Sequence, residues 1–150
     1  MWNVEDFDIK KNSREGEWCN LINPKTGEEL EIEIDGVIKK SRVKMLGPKS
    51  EAGIKAKAEA EKANREHEAK LASFEKKGKT YVPSEDEIEK SELKDIAYLK
   101  AMAIEWDGIP DGKGGEAKFT ESEKDRIFAA DGIRGQLIMW TISPQNFMHG

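Results

Sequence analysis

The sequence is short of several residue types, and each shortage excludes a class of protein. Cys19 is the single cysteine, so no internal disulfide can form and a reducing compartment suits the chain best. No apolar run approaches the ~20 residues that a membrane-spanning helix needs, so no membrane association is expected. The first residues are acidic and mixed, unlike a signal peptide. We therefore expect a cytoplasmic protein.

Residues that bind metals or carry out catalysis are also scarce. Only His67 and His149 accompany the single thiol, whereas zinc needs three or four ligands. No Ser or Cys has a His near it in a known catalytic arrangement. The glycine-rich run 108–115 follows a predicted helix and matches neither phosphate-binding fingerprint. A calcium loop starting at Asp107 would place Ile109 where an oxygen ligand is required. We predict no catalytic residue, no metal and no cofactor.

Charged residues, in contrast, are abundant. The 150 residues include 25 Lys and Arg and 30 Asp and Glu, which gives a net charge of -5. A mildly acidic protein is a poor match for a duplex nucleic-acid binder, which usually has a basic surface. The large apolar residues concentrate near both ends, while the middle is mostly Ala, Glu and Lys. This composition favours protein partners, with no nucleic acid and no small-molecule substrate.

The first part of the chain has strand signals. Segment 17–22 is a candidate first strand, and a Pro- and Gly-containing turn follows it. Segment 30–34 alternates apolar and acidic residues, and Asp35-Gly36 is a strong hairpin signal before a further strand over 37–46. These signals predict a small antiparallel β-meander. The lead-in at 1–13 alternates loosely and could pack on a sheet edge, pack on a neighbouring subunit, or stay loose.

Helix signals dominate the rest. Ser50 can cap a charged helix over 51–77, whose thin apolar stripe ends at Leu71 and Phe74. Ser84 begins a second helix with a broad apolar face, expected to run through a buried Trp106. Further helical segments follow, capped at Thr120.

The predicted fold is therefore α+β: an N-terminal antiparallel β-meander, a long charged helix and a C-terminal helical bundle. We divide the chain into a lead-in and meander at 1–47, a long solvated helix at 48–78, and a C-terminal helical subdomain at 84–150. We expect this subdomain to form one compact unit with the sheet, since a small sheet needs something to cover its apolar side.

The order of these parts resembles a known family. A Phe7-Asp8-Ile9 lead-in precedes the Trp18 strand and the run Asn-Pro-Lys-Thr-Gly-Glu at 23–28. After these come a charged helix, the run Glu-Trp-Asp-Gly-Ile at 105–109, the run Phe-Thr-Glu-Ser-Glu at 119–123 and a closing Gln-Asn-Phe. This order resembles small proteins of tailed bacteriophages and prophages, of the tail assembly chaperone type. One departure is the run 112–117, which lacks the proline usual before the Phe-Thr pair.

The resemblance implies a non-enzymatic role in the host cytoplasm. Such chaperones bind the tape measure protein, keep it soluble and help tail tube protein polymerise around it, and they are usually absent from the virion. Apolar surface on a charged body fits that task. The candidate protein-binding residues share large apolar side chains near the ends or on the long helix: Trp2, Val4, Phe7, Leu71, Phe74, Leu137, Trp140 and Phe147.

Other interpretations stay open at this point. Each candidate residue could instead be core. The protein could be a structural component retained in the virion, at the tail or neck, which would need a large permanent interface. It could inhibit a host protein through the acidic strand face of Glu31 and Glu33. A small hydrolase would need convergent polar residues that the sequence does not contain. Self-association is also left open.

Overall fold

The computed structural model describes residues 1–149 and confirms the α+β class. Single 3-10 turns lie near the two ends, at Val4–Phe7 and Pro144–Phe147. Between them the helices and strands follow in this order: α1 (Ile9–Glu15), β1 (Glu17–Asn20), β2 (Glu31–Ile34), β3 (Val37–Lys40), β4 (Arg42–Met45), α2 (Glu51–Lys76), α3 (Glu85–Met102), β5 (Ala103–Asp107), α4 (Glu121–Phe128) and α5 (Asp131–Thr141).

The strands form two sheets rather than one continuous meander. Strands β1, β4 and β5 form an antiparallel sheet with β4 in the centre, while β2 and β3 form a separate hairpin. The hairpin turn is Asp35-Gly36 as predicted, and both residues have positive φ, at 51° and 78°. The strand expected over 37–46 is interrupted at Ser41, whose buried hydroxyl donates to the Gly108 carbonyl at 2.6 Å.

The helix predicted to run through Trp106 is wrong beyond Met102. Ala103 is already extended, with φ -81° and ψ 129°, and the next residues form β5. Trp106 pairs with Val43 of β4, so tertiary strand pairing overrides the helical pattern of the sequence. The indole packs edge-to-face on Phe119, 4.9 Å between centroids, and its Nε1 donates to the Ala117 carbonyl at 2.9 Å.

The N-terminal lead-in is helical, which corrects the extended or loose segment expected there. Asp8 caps α1 by accepting from the Lys11 amide at 3.1 Å. Asn12 of α1 donates its side-chain amide to the Phe147 carbonyl at 2.7 Å, and the Gly47 amide donates to the Ser13 carbonyl at 2.9 Å. These bonds fasten α1 to the chain's last turn and to the segment after β4.

The hydrophobic core lies among the three-stranded sheet, α3, α4 and α5. Cys19, predicted to be a core residue, is 2% exposed. The core also contains Leu21, Val43, Met45, Leu99, Met102, Ile109, Phe128 and Leu137. The C-terminal part of the chain therefore covers the sheet and contributes β5 to it.

The long helix α2 matches its predicted bounds closely. Ser50 caps it by accepting from the Gly53 amide at 3.0 Å, and Gly78, at φ +67°, follows its end. Gly53 is the one fully buried residue of α2, because it packs against the segment after β4. Within residues 1–149, no helix is both long enough and apolar enough to cross a membrane.

Candidate protein-binding surfaces

Helices α2 and α3 form a helical hairpin, called here the arm. All residues from 57 to 73 of α2 are solvent-exposed, which amounts to more than four turns of helix. Helix α3 is also exposed at its start and becomes buried only toward Leu99 and Met102. Most helical stability in proteins comes from packing of an apolar face. Because residues 57–73 of α2 pack against so little of the protein, tertiary contacts contribute little to the stability of this stretch.

The end of the arm carries an aromatic cluster, called here the arm cluster: His67, Leu71, Phe74 and Tyr81. The first three recur on α2 at spacings of four and three, so they share one face of the helix. Tyr81, from the connection between α2 and α3, packs edge-to-face against His67 and Phe74, with centroids 5.6 and 5.3 Å apart. Leu71 stays 40% exposed.

An ion pair joins the two helices beside this cluster. Lys70 of α2 contacts Glu87 of α3 at 3.1 Å, and its Nζ lies 4.8 Å from the centroid of the Tyr81 ring. The Tyr81 hydroxyl donates to Glu87. The hydrogen bond from the Tyr81 hydroxyl is the larger cause, and the bond from Lys70 the smaller, of a pKa of Glu87 below its ordinary value. In turn, the bond to Glu87 raises the pKa of Lys70. These groups are solvated, so each contact stabilises the hairpin only modestly.

A second apolar surface, called here the terminal patch, consists of Trp2, Val4 and Phe7. Their exposed fractions are 69%, 72% and 51%. The Trp2 and Phe7 rings contact each other edge-to-face, with centroids 5.9 Å apart. This patch lies beside the end of the chain, because the His149 amide donates to the Asp6 carbonyl. The structure thus leaves these three predicted residues, like Leu71, accessible to a partner.

Two of the predicted binding residues are core residues instead. Leu137 and Phe147 are 0% exposed, so neither is available to a partner. Leu137 lies on the inner face of α5. Phe147 packs against Trp140, 5.2 Å between centroids, and against Gly47, where a Cβ would come within 2.7 Å of its ring. Trp140 is half-buried by that contact, and Phe74 is half-buried in the arm cluster.

Sequence reasoning also missed several accessible residues. Met139, on the outer face of α5, is 64% exposed, and Ile142, directly after the end of α5, is 50% exposed. Their helical spacing from Leu137 places them on another face, a signal that was present in the sequence. Tyr81 gives no such signal, because it lies between Thr80 and Val82 in a connection without periodic pattern.

The acidic side chains at the end of β5 and in the loop after it have structural partners. Lys39 Nζ lies 2.8 Å from Asp107 and 2.9 Å from Glu116, and Glu116 also accepts from the Gly108 amide at 2.8 Å. The hydrogen bond from Lys39 lowers the pKa of Asp107. Asp111 accepts from two amides of its own loop. This cluster fastens the β2–β3 hairpin to the end of β5, and residues 1–149 contain no group of three metal-ligating side chains.

The single thiol is also unsuited to chemistry. Burial raises the pKa of Cys19 to about 12, so the thiolate that a nucleophile requires is not formed near neutral pH.

Comparisons with protein-family models, with curated proteins and with solved structures gave no match.

Proposed function

We propose that this protein is a non-enzymatic tail assembly chaperone of a tailed phage or prophage, acting in the host cytoplasm. Its partner would be the tape measure protein, held soluble by the arm while tail tube protein assembles around it. The observation that carries the proposal is the exposure of α2 from residue 57 to 73 next to the apolar arm cluster.

The arm suits a helical partner. His67, Leu71 and Phe74 recur at the i, i+4 and i+7 positions, the spacing by which one helix anchors on another. A tape measure protein is long and helical, with apolar stripes that need cover before assembly. Charged residues flank the arm cluster on α2, including Glu66, Glu68 and Lys70, and they keep the free arm solvated.

The test is quantitative capture from phage-producing cells. Tagged wild type should co-purify a long helical tail protein. A Leu71→Ala/Phe74→Ala double variant should lose at least about tenfold of that capture, because two apolar anchors typically contribute more than 1.4 kcal/mol together. Leu93→Ala is the matched control, since Leu93 is 65% exposed on α3 outside the arm cluster. Equal capture by all three proteins would contradict the assignment to the arm.

A second candidate is a structural protein retained in the virion, and the terminal patch favours it. Three large apolar side chains exposed together fit a permanent subunit contact. Mass spectrometry of purified virions separates the two candidates. A fixed copy number in the particle would support the structural role, while absence from virions together with capture of a tail protein would support the chaperone.

A further inference from the structure

The connection between α2 and α3, residues 79–83, is called here the strap. We propose that the strap is an internal cover of the arm's binding face, and that the partner displaces it by inserting an aromatic side chain where Tyr81 now lies. This inference rests on the proposed function, because it concerns how the arm binds its partner.

The strap is held almost entirely by one side chain. The Lys79 amide donates to the Phe74 carbonyl at 3.0 Å, but in the described part of the chain no backbone hydrogen bond holds residues 80–83. Val82 is 76% exposed. What remains is Tyr81, which contacts both aromatic rings of α2 and bonds to Glu87. Detaching this single residue would therefore release the whole strap.

The ring contacts of Tyr81 are individually weak, and its strongest contact is the charge-assisted hydrogen bond to the Glu87 carboxylate, which a partner tyrosine could replace. Edge-to-face aromatic pairs and exposed cation–π contacts add little beyond the area that they bury. The Lys70–Glu87 pair, at 3.1 Å, is solvated on both sides and screened by salt. A partner that offers a similar ring and a longer helical contact can compete with these interactions.

The surroundings of Tyr81 indicate which type of side chain the partner would insert. The ring lies between His67 and Phe74 on the face where Leu71 is already accessible. Release of the strap would expose Phe74 beside Leu71 and widen the apolar face. The gap that it leaves has aromatic edges on two sides, the Lys70 ammonium above and the Glu87 carboxylate as acceptor. That chemistry recognises an aromatic side chain, with tyrosine the best fit because its hydroxyl can donate to Glu87.

The experiment measures capture of the tail protein at a series of limiting bait concentrations. Tyr81→Ala removes the cover and should increase the apparent affinity by about three- to tenfold, the range that loss of one or two competing aromatic contacts gives. Tyr81→Phe keeps the ring but loses the bond to Glu87, so a smaller increase is expected. Phe74→Ala removes the ring on which the partner would pack, and it should reduce capture both in the wild-type protein and in combination with Tyr81→Ala. Circular dichroism verifies that every variant keeps its helix content.

The outcomes separate the two proposals. Unchanged or weaker capture by Tyr81→Ala, with capture still lost in Phe74→Ala, would show that Tyr81 is not a cover while leaving the arm as the binding site. No capture by wild type, or equal capture by wild type and Phe74→Ala, would overturn the proposed function and the strap inference with it.

Discussion

Replacing Trp106 with alanine tests whether the sheet and the C-terminal helices share one core. The indole is half-buried, stacks edge-to-face on Phe119 and Phe128 at 4.9 and 6.1 Å, and donates to the Ala117 carbonyl at 2.9 Å. A fully buried Trp replaced by Ala costs about 3–5 kcal/mol. Partial exposure lowers the burial contribution, while two aromatic pairs and one hydrogen bond add to it, so we expect a loss of about 3 kcal/mol.

The assays are urea unfolding, which gives the free energy of unfolding, and thermal unfolding, both followed by far-UV circular dichroism. The loss corresponds to a drop of roughly 6–12 °C in Tm for a chain of this size. Trp18→Ala is the matched control, because that half-buried indole stacks on the Arg42 guanidinium at 4.0 Å and should lose only about 1 kcal/mol. A loss below about 1 kcal/mol in Trp106→Ala, or an equal loss in the two variants, would refute the reasoning, since truncation of a large side chain packed in the core typically costs about 2 kcal/mol or more.

Three further predictions concern packing, thiol reactivity and pH. Gly53→Ala should destabilise the fold by at least about 2 kcal/mol in thermal unfolding, because the added Cβ would lie 2.3 Å from a backbone oxygen. Gly135→Ala is the control: it has open space around it and should stabilise the fold by up to about 1 kcal/mol. Cys19 should resist a thiol reagent at neutral pH in the folded protein and react once urea unfolds it; fast labelling of the native state would contradict its burial. Lys39 lowers the pKa of Asp107 below its ordinary value of 3.8. The ion pair therefore stabilises the fold at pH values above 3.8, and this contribution is lost as the pH falls through the pKa that Asp107 has in the folded state. Asp107→Asn should therefore show a flatter dependence of Tm on pH below about pH 4 than wild type, and parallel curves would argue against the pair.

Local signals predicted the elements whose structure is decided locally. Ser50, Ser84 and Thr120 cap helices at the expected residues, and Asp35-Gly36 closes the expected hairpin. A cap or a two-residue turn depends on a few neighbouring atoms, so a short stretch of sequence contains the information.

Elements decided by distant partners were not predictable in this way. The segment after Met102 has residues that suit a helix, yet it forms β5 because it pairs with β4, far earlier in the chain, as in the pair Val43 and Trp106. Likewise, Phe147 near the end of the chain is a core residue because Trp140 and Gly47 surround it. Whether an apolar residue near a terminus is core or surface depends on such long-range contacts, which periodicity does not report.

The same limit applies to the arm. The stripe of Leu71 and Phe74 was recognisable from its spacing, but the return of Tyr81 onto it was not, because residues 79–83 have no periodic pattern. The residues of the terminal patch were recognisable from their loose alternation with charged residues, but only the structure establishes that they are exposed.

Site-specific photo-crosslinking in phage-producing cells is the most direct test of the arm as the binding surface. A photoreactive residue would replace Leu71 in the arm cluster or, in a parallel strain, Val4 in the terminal patch; both side chains are exposed. We expect the residue at position 71 to form an adduct with a long helical tail protein, identified by mass spectrometry, and the residue at position 4 to form none. Adducts from position 4 alone would contradict the arm as the binding surface and favour the terminal patch.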